Sequence, residues 1–241
     1  MRNPKWHRDE IILALELYFR IEPGQIHARN PEIIQLSETL NKLPIHSARP
    51  DTEKFRNPNG VSLKMSNFLA IDPDYHGKGM EAYSKLDKSV FEEFSQEKQE
   101  LSLLAQKVKQ IVSDSDLNEQ IYKIQPDEDE ENFTVKEGQV IYKLHKYRER
   151  DSKISRKKKE SVLKKEGRLA CEACTFDFYQ VYGELGKGYI ECHHRVPLAS
   201  LEYGTVTRLE DLALVCANCH RMLHRGIETM GVEELRMRIK S

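Results

Sequence analysis

The 241-residue sequence contains no apolar run approaching the roughly 20 residues that a membrane-spanning helix requires. Its opening stretch, MRNPKWHRDE, also lacks the apolar segment of a secretory leader. These absences lead to the expectation of a soluble, cytoplasmic chain with no membrane partner. An excess of either charge is lacking too: 38 Lys and Arg face 39 Asp and Glu, a net charge of −1. That balance says nothing about partners by itself, because charge can still be segregated along the chain. Cysteine is scarce, and its five copies are an odd number for a disulfide framework. Four of them form two Cys-x-x-Cys pairs, which in a reducing compartment read as metal ligands.

What is present is enough for compact cores under a charged surface: 39% of residues are apolar and 32% charged, unlike a disordered chain. The length admits one large domain or two modest ones, and the shifts in composition favour two. Residues 1–112 read as mainly helical. Ile11, Ile12, Leu15 and Tyr18 to Phe19 recur at helical spacing. Asn30 followed by Pro31 marks the start of a second helix that runs to about Leu43, before Pro44. Asn57-Pro58-Asn59-Gly60 reads as a turn, followed by a short helix from Val61 to Ile71. A long helix is expected from Asp87 to about Val112, burying Val90, Phe91, Phe94 and Leu101 to Leu104.

Beyond it, residues 113–140 read as an acidic linker carrying Asp127-Glu128-Asp129-Glu130-Glu131. The acidic run is either a solvated loop or an occupant of a nucleic-acid groove. The sign then reverses. Between Lys143 and Arg168, 12 basic residues oppose 4 acidic ones, 12 − 4 = +8. Such a segment, with Arg156, Lys157 and Lys158 at its centre, either neutralises phosphates or is an ordinary solvated helix.

In residues 141–241, Cys171-Glu172-Ala173-Cys174 and Cys216-Ala217-Asn218-Cys219 each carry the two-residue spacer that lets both sulfurs face one tetrahedral Zn²⁺. A closed set of four thiolates leaves zinc no open position, so this site is structural and chemistry must sit elsewhere. Cys192 has no second cysteine at ligand spacing and reads as a packed residue. His220 and His224, four apart, share one face of a helix. With His193 brought across from a hairpin, three imidazoles could hold a divalent cation and leave positions open for phosphate oxygen and water.

The segments ECHHRVPL (191–198) and EDLALVCANCHRMLH (210–224) resemble the HNH, or ββα-metal, endonuclease superfamily, and most closely its branch of McrA-like modified-cytosine restriction nucleases. The likeness covers roughly Gly167 to Arg225. It implies a zinc-stapled module with a hairpin bearing His193 and His194 and a helix from near Asn218 bearing His220 and His224, which with the mainly helical N-terminal domain makes an α+β chain. It also implies that His193, His220 and His224 bind the catalytic cation (Mg²⁺, Mn²⁺, Co²⁺ or Ni²⁺), that His194 is the general base, and that the cysteines bind structural Zn²⁺. One departure concerns the central Asn of the motif, whose place Asp211 takes; a carboxylate accepts hydrogen bonds but cannot donate them as an amide does. Asn218 is the alternative if the hairpin is registered differently.

The function implied is hydrolysis of DNA phosphodiester bonds to 3′-hydroxyl and 5′-phosphate ends, in a restriction or defence enzyme acting on modified duplexes. The alternatives are a silent zinc module that binds nucleic acid, or a mobile-element or phage nuclease. Arg195 and Arg221 read equally as phosphate clamps or as surface cations. By elimination the N-terminal domain selects the target, with Lys54, Arg56, Lys64, His76 and Lys78 tracking the DNA, unless it is a helical packing or dimerisation domain. Double-strand cleavage would be served by a homodimer.

Overall fold

A computed structural model describes residues 3–80, 82–124, 138–149, 152–196, 207–225 and 230–239. The chain divides into two compact units, residues 1–123 with 138–140, and residues 124–137 with 141–241. The acidic run at 127–131 lies outside the described residues, as do Pro197 and Leu198 of the hairpin motif. Among the described residues, no helix is long and apolar enough to cross a membrane.

The first unit is built around α1 (Arg8–Tyr18), against which the next four helices pack. Ile11, Ile12, Leu13, Ala14 and Leu15 have no exposed surface, so the helix is enclosed on all sides rather than striped. Its start is fixed by a capping box, in which the His7 side chain accepts from Asp9 N and Glu10 accepts from His7 N. Two further helices share one start signal. Asn30 caps α2 (Pro31–Lys42) and Asn57 caps α3 (Pro58–Leu69), each with proline at the first helical position. The Asn-Pro at 57–58 is therefore a helix start and not a free-standing turn.

The expected long helix is two: α4 (Lys85–Phe94) and α5 (Lys98–Ser113). An unbroken helix would place Glu97 and Lys98 in the buried stripe between Phe94 and Leu101, so the chain breaks where that stripe turns polar. Leu103, inside the run expected to be buried, is exposed. The segment read as linker opens with a further helix, α6 (Ser115–Tyr122), which buries Ile121.

Enclosing α1 buries its polar first turn, and each group there is paired. Arg8 Nη2 donates to both carboxylate oxygens of Glu93 at 2.7 Å. Asp9 accepts from Gln139 N and Val140 N, and a Cβ on Gly138 would lie 2.4 Å from its carboxylate, which explains the glycine. Glu10 accepts from Arg56 Nε at 2.7 Å and Nη2 at 2.8 Å and meets His46 Nε2 at 3.1 Å. The Arg56 guanidinium also donates to the Pro4 and Lys5 carbonyls and lies 4.6 Å from the Trp6 ring. Lys64 sits 2.9 Å from both oxygens of Asp87. Both cations are buried and internally neutralised, which corrects the expectation that Arg56 and Lys64 track DNA. Lys54, His76 and Lys78 remain exposed.

The second unit is the α+β module anticipated. After α7 (Gln139–Glu149) and α8 (Ser152–Glu166), an isolated bridge between Ala170 and Asp177 encloses the first cysteine pair. The short α9 (Phe178–Tyr182) and a 3₁₀ turn (Gly183–Gly186) lead to β1 (Glu191–His194). A 3₁₀ turn at Leu209–Asp211 precedes β2 (Leu212–Val215), antiparallel to β1 with Glu191 opposite Val215 and His194 opposite Leu212. Then come α10 (Ala217–Leu223) and α11 (Val232–Arg238), whose Val232 and Leu235 complete the core around Leu169, Ile190, Cys192 and Leu214.

The Glu10 to Arg56 pair gives a first prediction. Glu10→Gln leaves Arg56 buried without its counter-charge and should cost about 3 kcal/mol of stability, measured by chemical unfolding. Burial pushes the Glu10 carboxyl up, but His46 and Arg56 more than offset this and hold it below its ordinary 4.5. Its contribution should therefore be complete above pH 4.5 and fade as pH falls through the lower native value, and the variant should lose this acid dependence.

Candidate metal centres and active site

The four paired cysteines converge: their sulfurs all lie within 4.8 Å of one another, and none is in a disulfide. Cys174 Sγ is 3.7 Å from Cys216 Sγ. Two sulfurs bound to one tetrahedral zinc at about 2.3 Å stand about 3.8 Å apart, so this spacing fits a shared ion. In each pair the second amide points at the first sulfur, Cys174 N to Cys171 Sγ at 3.5 Å and Cys219 N to Cys216 Sγ at 3.4 Å. Burial opposes ionisation of Cys171, yet the amides of Cys216, Cys174 and Ala173 outweigh it and lower that thiol's pKa. Cys174 and Cys219 are pushed up, chiefly by burial and then by the neighbouring sulfurs. Four sulfurs gathered at one point form a donor set suited to a soft or borderline cation. Zinc fits it, and four sulfurs leave that ion no place for water.

The knuckle is tied to the hairpin through Glu172. Its amide donates to Leu214 O and its carboxylate accepts from Leu214 N, both at 2.8 Å, and pairs with the Arg195 guanidinium. Arg195 is thus engaged in fastening β1's outer end to the cysteine knuckle. The fifth cysteine is packed as expected, buried with its Sγ 3.8 Å from Ser155 O of α8.

Three histidines form a second cluster. Ring centroids of His193, His220 and His224 are 5.2, 4.9 and 4.8 Å apart, and one nitrogen of each falls within 4.8 Å of the others. His220 Nε2 and His224 Nε2 are 3.1 Å apart. Ligand nitrogens about 2.0–2.1 Å from a common cation stand about 3.0–3.4 Å apart, so the histidines fit a shared ion as well. Local structure explains the convergence. Cys216 caps α10, its side chain accepting from Cys219 N, and the helix carries His220 to its cap residue His224 one turn later. Tyr142 of α7 stands edge-on to His224, ring centroids 6.0 Å apart.

Alternation along β1 sorts its side chains. Glu191 and His193 face α10, whereas Cys192 meets α8 and His194 follows it on that face. His194 is buried at the strand's last position, its Nε2 3.4 Å from Thr207 Oγ1. The Asp211 carboxylate accepts from Arg208 N at 2.7 Å, bracing the turn that enters β2, and its carbonyl accepts from Arg195 N at 2.8 Å. It therefore holds the loop opposite His194 by accepting alone, a role a carboxylate fills without an amide's donor. Asn218 is exposed in the first turn of α10, and Arg221 projects to solvent from the same helix.

Helix α8 lies along the hairpin, fixed by Ser155 and by Lys159 Nζ at 3.4 Å from Gly188 O. Arg156 and Lys157 face solvent and Lys158 is half-buried. Lys143, counted in the same basic stretch, is buried in α7. Three residues that the sequence reading did not single out shape the site: Glu172, Glu191 and Thr207. The two glutamates carried a signal, one lying inside a cysteine pair and the other two positions before His193 on a strand of period two. Thr207 carried none.

Residues 171–226 match the family model of HNH endonucleases, a span that encloses both clusters. No curated protein and no solved structure gives a significant match. The family match supports the HNH superfamily for this module, and such a domain points to a metal-dependent nuclease.

The cysteine geometry predicts that Cys174→Ser loses zinc and the folded C-terminal module together, read by atomic emission and circular dichroism. A folded variant without zinc would contradict the stapling role.

Proposed function

We propose that the protein is an HNH endonuclease that hydrolyses phosphodiester bonds in double-stranded DNA. The observation that carries this reading is the convergence of His193, His220 and His224, on the hairpin that also bears His194, inside a segment matching the HNH family. A divalent cation held by the three histidines would offset the negative charge that builds on phosphate oxygens during hydrolysis. His194 takes a proton from the attacking water, for which an imidazole is suited near neutral pH. Asp211 keeps the loop before β2 in place, and through it the strand position opposite His194. The cysteines hold structural zinc. Arg156, Lys157 and Lys158 on α8, with Arg221 on α10, meet the DNA backbone, and Arg195 contributes by fastening the hairpin. Products are 3′-hydroxyl and 5′-phosphate ends.

We assign the enzyme to restriction or defence, with modified DNA as its target and the N-terminal unit as the selecting part. The McrA-like pattern of residues 191–224 supports this assignment. A silent zinc module has no need of three imidazoles gathered at one point, and a mobile-element nuclease would share the chemistry without a preference for modified DNA.

Removing the base by His194→Ala should lower cleavage about 10²–10⁴-fold, with zinc content, melting temperature and DNA affinity preserved. Undiminished cutting would refute the assignment of the base. Cleavage should require Mg²⁺, Mn²⁺, Co²⁺ or Ni²⁺ and stop on chelation. On matched unmodified, cytosine-methylated, hydroxymethylated and phosphorothioated duplexes, a preference for one modified form is expected. Equal cutting of all four would eliminate the role against modified DNA while leaving the nuclease reading intact.

A further inference from the structure

We infer that Glu191 is a positioning residue for the histidine cluster: its carboxylate fixes the tautomer and orientation of His220. The inference rests on reading His193, His220 and His224 as a cation site.

Glu191 Oε2 lies 2.6 Å from His220 Nδ1. An ionised carboxylate only accepts hydrogen bonds, so the proton of a neutral His220 resides on Nδ1 and the lone pair on Nε2. That Nε2 is the nitrogen 3.1 Å from His224 Nε2. The carboxylate thus stands behind the ring, and Nε2 on its far side is the nitrogen that would hold a cation. Three neutral imidazoles bring no charge to a dication. A carboxylate bonded to the far nitrogen of one of them supplies compensating charge through the ring and makes it a stronger donor.

The placement follows from the fold. Glu191 opens β1 and shares the face of His193 two residues on. Its register partner is Val215, directly before Cys216, the cap of α10. The pairing of the two strands therefore sets the carboxylate against the first turn of the helix that carries His220. Glu191 is part-exposed, at 37%, and His220 is 15% exposed, so the bond is set at the edge of the site rather than in the core.

The test uses the full chain with zinc at the cysteines. Mn²⁺, a poor competitor for thiolates, is titrated and its free signal followed by electron paramagnetic resonance. Relative to wild type, Glu191→Gln should bind Mn²⁺ about 10-fold more weakly and Glu191→Ala up to about 100-fold more weakly, with zinc content and melting temperature unchanged. In the metal-free proteins, ¹⁵N spectra of His220 should show the Nδ1–H tautomer in wild type and a mixture in Glu191→Ala. Wild-type Mn²⁺ affinity in a folded Glu191→Gln or Glu191→Ala variant would overturn the inference if His220→Ala abolishes binding. Wild-type affinity in His220→Ala would instead show that the histidine cluster is not the cation site.

Discussion

Everything in the C-terminal module depends on holding two four-residue strands together. A two-stranded ribbon of that length is marginal in water, because it offers too little apolar surface to offset the entropy of ordering it. Here the hairpin is gripped instead. Four cysteines gather at one point beside β2, and Glu172, inside the first pair, holds Leu214 by its backbone in both directions and Arg195 by its guanidinium. The zinc proposed for the cysteines thus fixes both where the knuckles sit and where the hairpin lies against them. Cys216 also caps α10 directly after the last residue of β2, so the helix leaves the cysteine cluster with its direction already set.

The first unit solves the opposite problem, a surplus of buried charge. Because α1 is enclosed on every side, the charged residues of its first turn must find partners within the core, where an unpaired ion costs several kcal/mol. Arg56 answers Glu10 and Glu93 answers Arg8, while Lys64 answers Asp87 between α3 and α4. Cations that look available for phosphate in a one-dimensional reading are consumed in this way. Among the described residues, exposed positive charge is concentrated on α8, which lies along the hairpin. Of the two places where the sequence offered basic residues for DNA, the helix that packs on the His194 face of β1 is the better supplied.

What could be read in advance divides along the same physical line. The cysteine pairs and the His220 to His224 spacing were legible because ligand spacing is a local property, and the hairpin came with the resemblance that those motifs carry. The Asn-Pro helix starts were local too, although the one at Asn57 passes for a turn until the helix beyond it is seen. The break at Ser95 to Glu97 was legible only by following the buried stripe past Phe94. The burial of Arg56 and Lys64 was not legible: their partners lie 46 and 23 residues away and are fixed by helix packing alone. The same holds for Thr207, which reaches His194 only through the loop between the strands.

Strand alternation makes register a condition for chemistry as well as for stability. In β1, four consecutive residues divide between two duties: Glu191 and His193 meet α10, while Cys192 and His194 turn toward α8. A slip of one residue would exchange the faces, sending Cys192 toward α10 and His193 toward the core. Neither the imidazole cluster nor the packed cysteine would survive the exchange. Register here is set at both ends, by Arg195 N on Asp211 O at one and by the junction of Val215 with Cys216 of the cysteine cluster at the other. A substitution that loosens either end should therefore scatter the histidines before it unfolds the module, because imidazoles tolerate less displacement than a small apolar core does. This is the physical sense in which a site made of four cysteines can govern a site made of histidines without sharing a ligand.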